Sequence, residues 1–213
     1  WSFTVDLTAP SPPANVTAPD PTNDTTPTFT WDAAIDPGGS GIKGYILEVW
    51  TTGGGAAKIR GPFDGITGTT YTLLLPDAIS PDGEYQVRVW SVDKADNVSG
   101  TYGSDTFVLD TGKPVLSNGT PTGIQPGTGT LTMQFADDRT GLDATFFSIM
   151  IADGRPIPVP GIVSNHVYPA SGTMTGQISA DYEVPTDGTW TVTAVIRDLA
   201  GNLSDEYKWS FVV

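Results

Sequence analysis

The chain has 213 residues, 38% of them hydrophobic, which is enough for two ordinary cores of about 100 residues each. A formal net charge of −14 excludes a protein that binds nucleic acid through its phosphates, because such binding needs clustered Lys and Arg. The absence of cysteine excludes disulfides, Cys-based zinc sites and thiol catalysis, and the absence of a run of roughly 18 apolar residues argues against membrane insertion.

Segments in which apolar and polar residues alternate recur along the chain and predict β-strands, whereas no segment shows a convincing helical period. Turn sequences rich in Asp, Gly and Pro separate them, as at Asp36-Pro-Gly-Gly and Thr186-Asp-Gly. About seven strands are expected in each half of the chain, so the predicted fold class is all-β. In chain order, strands are predicted at residues 27–31, 45–49, 85–89, 131–135, 147–151 and 190–194.

A long repeat sets the predicted domain organisation. Phe3, Phe107 and Phe211 are each 104 positions apart and lie in similar short strand sequences, of which the first two are followed by proline-containing linkers. A repeat of this length corresponds to one β-sandwich domain. We therefore expect an orphan last strand of a preceding repeat at residues 1–7, one sandwich at residues 8–111 and a second at residues 112–213.

The orphan strand needs a partner, because an isolated strand with one apolar face is unstable in water. Residues 1–6 are therefore expected to pair with a sheet edge, either on the first domain or on a neighbouring molecule. The second possibility predicts self-association through this segment. The expected partners otherwise are further domains of the same protein.

The second half of each domain carries the clearest repeat. From Asp82 to Ser99, and again from Asp187 to Ser204, an Asp-Gly pair is followed by an aromatic residue, an alternating strand and Asp-x-Ala-x-Asn-x-Ser. This pattern resembles the tandem Ig-like and fibronectin type III-like domains of bacterial and archaeal surface proteins. That resemblance implies two such β-sandwiches in tandem, and it is specific for architecture rather than for function.

Two positions refine the resemblance. The Asp-x-Ala-Gly-Asn-x-Ser loop of these domains is complete only from Asp198, because Asp96 stands where the family usually has Gly. Tyr85 resembles the tyrosine-corner position of sandwich domains, whereas the second domain has Trp190 there, so any corner hydrogen bond must differ. Both aromatic residues are expected to be structural.

Twenty of the 24 acidic residues are Asp, a residue that favours turns and oxygen-ligated metal sites. In a sandwich of this type, acidic loops converge at the pole that receives the incoming linker. Carboxylates that converge without a paired Lys or Arg repel unless a cation binds among them, so we predict calcium at the junction between the domains. The alternative is that these residues are solvated and only form turns. The candidate ligands are Asp110, Asp137, Asp138 and Asp198 at the junction, and Asp6, Asp36, Asp93 and Asp96 in the first domain.

No catalytic constellation is evident. His166 is the only histidine, no Gly-x-Ser-x-Gly sequence accompanies it, and we expect it in a loop without a catalytic role. Trp50 and Trp90 are out of phase with the inward-facing residues of their strands, so they are candidates for an exposed platform that binds sugar or protein. Packing under a loop or against another domain is the alternative for both.

Asparagine-linked glycosylation is a further expectation from the sequence, since five of the six Asn lie in Asn-x-Ser/Thr sequons. The alternative is that Ser and Thr are simply abundant and that two sequons belong to the repeated loop. The sequons are at Asn15, Asn23, Asn97, Asn118 and Asn202.

Taken together, these features indicate a non-catalytic tandem module of an extracellular or cell-surface protein, acting as a spacer or adhesion stalk. One alternative is a subunit of a self-assembling surface layer (S-layer) or filament. The other is a carbohydrate-binding accessory region of a secreted hydrolase.

Overall fold

The computed structural model describes residues 5–155 and 160–213, and the chain divides into two units, Trp1–Asp110 and Thr111–Val213. The all-β prediction is confirmed: every strand pair is antiparallel, and the helical structure of the described residues is a single 3-10 turn at Leu75–Asp77. Each strand predicted from alternation overlaps an observed strand. Nowhere in the described part of the chain is there a helix with the length and apolar character needed to cross a membrane.

The first unit contains a two-stranded sheet of order β1-β4 and a four-stranded sheet of order β3-β2-β5-β6. Its strands are β1 (Thr28–Thr30), β2 (Ile42–Thr51), β3 (Lys58–Ile66), β4 (Thr70–Thr72), β5 (Gly83–Asp93) and β6 (Gly103–Leu109). These are six strands among the described residues, where about seven were expected.

The missing strand is the segment before β1, which is rich in proline and forms isolated bridges instead of a ladder. Thr17 bridges Thr30, and Thr22 bridges Leu109. Proline has no N–H to donate, and Pro12, Pro13, Pro19 and Pro21 interrupt any continuous ladder here. Of the predicted orphan strand, residues 1–4 lie outside the described residues, and residues 5–7 are not in a strand.

The second unit contains a four-stranded sheet of order β10-β11-β8-β7 and a three-stranded sheet of order β13-β12-β9. This arrangement matches the constant-type immunoglobulin sandwich. In the first unit β3, which corresponds to β10 of the second unit, instead joins the sheet that contains β2. The strands of the second unit are β7 (Val115–Thr120), β8 (Thr128–Ala136), β9 (Leu142–Asp153), β10 (Ile162–Val167), β11 (Thr175–Glu183), β12 (Thr189–Asp198) and β13 (Tyr207–Val212).

Each unit has its own hydrophobic core, built from the inward-facing residues of both sheets. In the first core Phe107 lies between Phe29 and Tyr85, with ring centroids 5.6 and 5.8 Å away. In the second, Trp190 is fully buried, and Tyr182 packs on Phe211 with centroids 4.8 Å apart. Burying one such side chain contributes about 1.5–3 kcal/mol, so these rings hold the loops at the ends of the strands in place.

Candidate calcium sites

Asp93 organises the loop between β5 and β6. Its Oδ1 atom accepts the backbone N–H groups of Ala95 and Asn97, both at 2.8 Å. Its Oδ2 atom accepts the side-chain amide of Asn97, also at 2.8 Å. Ser99 closes the loop, since its hydroxyl oxygen accepts the N–H of Ser91 at 3.2 Å. The Asp, Asn and Ser of the repeated motif thus all form hydrogen bonds within the loop.

The loop between β12 and β13 repeats these contacts around Asp198. Asn202 donates its backbone N–H to Oδ1 at 2.8 Å and its side-chain amide to Oδ2 at 2.7 Å, and Ser204 accepts an N–H from β12 at 3.0 Å. Asp96 and Gly201 occupy matching positions, three residues after the aspartate, with φ of 67° and 98°. Asp tolerates this left-handed backbone better than most residues, which explains why it can replace Gly in the first unit.

Asp36 and Asp137 lie in the loops that precede β2 and β9. In each carboxylate only one of the two oxygens accepts hydrogen bonds from described residues. Gly41 donates its N–H to Oδ2 of Asp36, and Gly141 donates to Oδ1 of Asp137, both at 2.7 Å. The other oxygen of each carboxylate is buried and, among the described residues, has no hydrogen-bond partner. A buried oxygen without a donor is unfavourable, and a bound cation would relieve this in both units.

In the first unit Asp6 completes an acidic group that we call the first acidic cluster. It consists of Asp6, Asp36 and Asp93, whose ligand oxygens all lie within 4.8 Å of one another. Hydrogen bonds from the backbone of Thr8 and Ser40, at 3.0 and 2.6 Å, lower the pKa of Asp6 and keep it ionised. The cluster therefore joins three separate parts of the unit: the incoming segment, the loop before β2 and the loop after β5.

In the second unit Asp137 and Asp198 are the counterparts of Asp36 and Asp93. Both are buried, and they offer carboxylate oxygens within 4.8 Å of each other. Asp110, which follows Asp6 by 104 positions, is the last residue of the first unit; it is buried, and its N–H bonds the carbonyl of Thr22 at 2.9 Å. Within the second unit, the structure thus brings together two of the predicted ligands.

Two other predicted ligands lie elsewhere. Asp96 is exposed and forms an ion pair with Lys43, and Asp138 is exposed in the loop after β8. Another carboxylate near this loop, Asp143 in strand β9, is buried and pairs with Arg197 at 2.7 Å. The assumption that the carboxylates of this region lack cationic partners is therefore wrong for Asp96 and Asp143, because a lysine or an arginine distant in sequence lies beside each.

The five sequons fall into two groups. Asn15, Asn23 and Asn118 are exposed. Asn97 and Asn202 are half-buried, and their side-chain amides donate to the aspartates of the repeated loop. The side-chain nitrogens of this second group are therefore engaged in holding the acidic loops.

Trp50 and Trp90 lie half-buried on the outer face of the β3-β2-β5-β6 sheet. The guanidinium of Arg88 lies 4.3 Å from the ring centroid of Trp50 and 4.8 Å from that of Tyr102. Trp90 meets Tyr102 edge-on, with centroids 5.0 Å apart and an interplanar angle of 64°. The Trp50 indole N–H donates to Glu48 at 2.9 Å. These side chains form a stacked row in which Arg88 covers one face of Trp50.

The expectation that His166 lies in a loop is wrong, because the residue belongs to strand β10. Its exposed ring stands edge-on to Phe147, with centroids 5.5 Å apart. Phe147 also contacts Tyr168, at 5.8 Å, so His166 is part of an aromatic contact beside the core.

No family model matches the chain. Over 97 residues the chain is 38% identical to exoglucanase B of Cellulomonas fimi, a match that covers 45% of this chain and 8% of that protein. The chain therefore spans less than a tenth of the length of this curated relative. The matched length is slightly shorter than one unit.

Among solved structures, the chain is similar to the FN1–FN3 domains of chicken CNTN1, with a TM-score of 0.43 and 11% identity over 96% of this chain and 68% of the other. It is also similar to fibronectin(III)-like modules of Clostridium thermocellum CbhA, with a TM-score of 0.40 and 11% identity over 93% and 94% of the two chains. A third similar structure is a tetra-tandem repeat from the extending region of a large adhesion protein. Its TM-score is 0.36 and its identity is 17%, over 97% of this chain and 50% of the other. At TM-scores below 0.5 the fold assignment depends on the strand order of this chain and not on these likenesses.

Proposed function

We propose that the chain is a non-catalytic spacer module of an extracellular multidomain protein, stiffened by calcium where the chain enters each sandwich. The observation that carries this proposal is the buried, unpartnered carboxylate oxygen that recurs on Asp36 and Asp137. The two units place it in matching loops, each beside a second aspartate of the Asp-x-Ala-x-Asn-x-Ser motif. A bound cation would supply the partner that this oxygen lacks in both units.

The donor set fits calcium. Ca²⁺ takes oxygen ligands at about 2.3–2.6 Å, so two ligand oxygens of one ion lie at most about 5 Å apart. The oxygens of the first acidic cluster satisfy this limit, and three carboxylates favour a divalent cation over a monovalent one. A cation bound by Asp6, Asp36 and Asp93 would fasten the incoming segment to two loops of the sandwich. Fastening the entry segment is what a stiff tandem array requires of each repeat.

The second unit is expected to bind in the same way through Asp137 and Asp198. By the 104-residue repeat, Asp110 corresponds to Asp6, and it is the residue we expect to supply the third carboxylate. This remains a proposal from the repeat, and substitution of Asp110 tests it separately from the first acidic cluster.

Calorimetric titration and thermal unfolding test the calcium proposal. Calcium binds only the folded state, so millimolar calcium should raise the melting temperature of the unmodified chain. Asp36→Asn should abolish the response of the first unit, and Asp137→Asn that of the second. Asp64→Asn is the matched control, because Asp64 is exposed on β3 and its loss changes the net charge equally. Absence of any heat of binding at millimolar calcium would refute the proposal.

Small-angle X-ray scattering tests the spacer role. If calcium stiffens the entry segments, its removal by a chelator should broaden the distribution of interatomic distances. The Asp36→Asn and Asp137→Asn double variant should show the broad distribution with or without calcium. A distribution that is the same in all four cases would leave calcium binding intact but contradict the spacer role.

A second candidate function is an accessory region of a secreted hydrolase, favoured by the 38% identity to exoglucanase B over 97 residues. In that case Trp90 and Tyr102 would be the sugar-stacking residues, since Arg88 already covers one face of Trp50. Affinity electrophoresis in gels containing soluble glucans tests this candidate. Retardation that Trp90→Ala removes would support it, and unretarded migration of the unmodified chain would contradict it.

The third candidate, a subunit of a self-assembling surface layer or filament, predicts large assemblies in solution. Electron microscopy of the chain with and without calcium would reveal sheets or filaments. Discrete particles under both conditions would exclude this function for the chain by itself.

A further inference from the structure

Strand β9 has a free edge in the second unit. It is the last strand of the sheet β13-β12-β9 and pairs with β12 through Trp190↔Asp153 to Ile196↔Phe147. On its other side, within the described part of the chain, Pro160 forms an isolated bridge with Ala152 and Gly161 donates its N–H to Ile151. Loop residues 171–173 bond residues 142–144, and the rings of His166 and Tyr168 lie beside that of Phe147. No described strand pairs with this side between residues 146 and 150.

The first unit shows what this edge can accept. Strand β2 is the counterpart of β9, and it has neighbours on both sides: β5 on one and the antiparallel strand β3 on the other. In the second unit the strand that follows, β10, pairs with β11 in the opposite sheet. The position that β3 fills in the first unit is therefore left open beside β9.

The backbone groups of this edge point outward at alternate residues. The carbonyl of Ile151 accepts the N–H of Gly161 at 2.9 Å, so it faces away from β12. Alternation along an antiparallel strand gives Ile149 and Phe147 the same orientation. Within the described part of the chain no strand pairs with the N–H and C=O groups of Phe147 and Ile149, and these are the groups that an added strand would use.

The side chains of the edge are uncharged and mostly apolar, the exceptions being Thr145 and Ser148. The nine residues from Ala144 to Ala152 carry no charge, although the whole chain carries −14. The acidic residues at both ends are paired, Asp143 with Arg197 at 2.7 Å and Asp153 with Arg155 at 2.8 Å. Met150 within this stretch is 60% exposed. The edge of β9 is therefore an uncharged part of a strongly acidic molecule.

We propose that this edge is a self-association surface, at which β9 of a second copy pairs antiparallel about Ser148. In that register Phe147 of one copy lies opposite Ile149 of the other, and Phe146 lies opposite Met150. Each of the four apolar residues between 146 and 150 meets an apolar residue, Met150 gains an aromatic contact, and about four backbone hydrogen bonds form. The result is one continuous six-stranded sheet across two molecules.

A second copy fits this edge better than a charged peptide. A basic or acidic strand would find no complementary charge between residues 144 and 152, since the flanking carboxylates are already paired. Two strongly acidic molecules repel each other, and an uncharged edge lets two copies approach without opposing like charges. The register is also self-complementary, as a two-fold contact requires.

Sedimentation equilibrium over a concentration series tests the proposal. The unmodified chain should show a reversible monomer–dimer equilibrium. Ser148→Lys places two like charges opposite each other at the two-fold axis and should weaken the dimer by about tenfold or more. Thr191→Lys is the matched control, since it adds the same charge to the same outer face one strand away, and it should dimerise like the unmodified chain.

A charge-reversal pair fixes the register. Ser148→Lys and Ser148→Asp should each dimerise more weakly than the unmodified chain but form a heterodimer when mixed, because residue 148 lies opposite itself. Circular dichroism checks that both variants are folded. A monomeric unmodified chain at millimolar concentration overturns the proposal. Equal dimerisation of Ser148→Lys and Thr191→Lys, or failure of the mixed pair to associate, overturns it as well.

Discussion

Tyr85 and Trp190 occupy the same place in the two units and form the same hydrogen bond with different chemical groups. The phenol of Tyr85 donates to the carbonyl of Pro81, and the indole N–H of Trp190 donates to the carbonyl of Thr186 at 3.0 Å. In both cases the acceptor lies four residues upstream, in the turn before the central strand. The corner bond is thus retained although the tyrosine is not: its donor differs, as the sequence led us to expect, and its acceptor is the equivalent carbonyl.

This relationship predicts the cost of removing the hydroxyl. Tyr85→Phe should lower the free energy of unfolding of the first unit by about 1 kcal/mol, because the part-buried hydrogen bond from the phenol to the carbonyl of Pro81 is lost. Urea unfolding followed by tryptophan fluorescence measures this loss. Tyr71→Phe is the control, since the Tyr71 hydroxyl has no hydrogen bond to any residue that the structure describes. An equal loss in both variants would contradict the prediction.

Asp143 should give the second unit a specific dependence on pH. Burial raises its pKa, but hydrogen bonds from Thr145 and the ion pair with Arg197 outweigh burial and hold the pKa below its usual value. A carboxyl with a lowered pKa stabilises the fold above its unfolded pKa of about 3.9, and the stabilisation is lost as the pH falls through the folded pKa.

Asp143→Asn should therefore destabilise the second unit by about 0.5–1 kcal/mol at neutral pH, since Arg197 is partly solvated. The difference from the unmodified chain should shrink steadily below pH 4 or so. Urea unfolding at several pH values provides the measurement, with the exposed Asp187→Asn as the charge-matched control. A difference that does not change between neutral and acidic pH would contradict the assignment.

Gly39 should be required for the calcium response of the first unit. A Cβ atom added to Gly39 would collide with the carboxylate of Asp36, so Gly39→Ala must displace that side chain. We expect the variant to lose the calcium-induced rise in melting temperature of the first unit. Gly54→Ala, where an added Cβ meets open space, should keep it. Retention of the full response by Gly39→Ala would exclude Asp36 as a ligand.

Glycosylation, if the native source performs it, should separate the sequons by accessibility. Asn15, Asn23 and Asn118 should carry glycan because they are exposed, although the amides of Asn15 and Asn118 donate to exposed side chains. Asn97 and Asn202 should not, because they are half-buried and their amides hold the acidic loops. Peptide mapping of natively purified protein by mass spectrometry tests the expectation for both groups of sequons. Glycan on Asn97, or an unmodified mass throughout, would contradict the prediction.

Local patterns were sufficient to predict most strands. The alternation of apolar and polar residues places Tyr85 and Val87 on the same face of a strand. The prediction of β5 therefore needs only these local residues and no contact with other parts of the chain. The pairing of β10 with β11 could not be predicted in this way. It depends on contacts between residues far apart in sequence, and those contacts differ between two units of similar pattern.

The acidic loops illustrate the same limit at the candidate site. The repeated motif identified Asp93 and Asp198 as loop residues, but spacing gave no means of separating Asp93, which is buried, from Asp96, which is exposed beside Lys43. The anchoring role of Gly41 and Gly141 was missed. Their recurrence four or five residues after Asp36 and Asp137 is a signal that could have indicated it.

The proline-rich segment before β1 has a consequence for mechanical load. In a tandem array, tension is applied through the ends of each domain, and the first unit begins with a segment held by scattered backbone hydrogen bonds at Ser11, Thr17 and Thr22. The second unit begins instead with strand β7, which pairs with β8 in a ladder. Under a steady pull the first unit should therefore release its leading segment at lower force, lengthening the chain before either core opens. Single-molecule force spectroscopy would detect this as a short extension preceding two larger ones, and its absence would contradict the expectation.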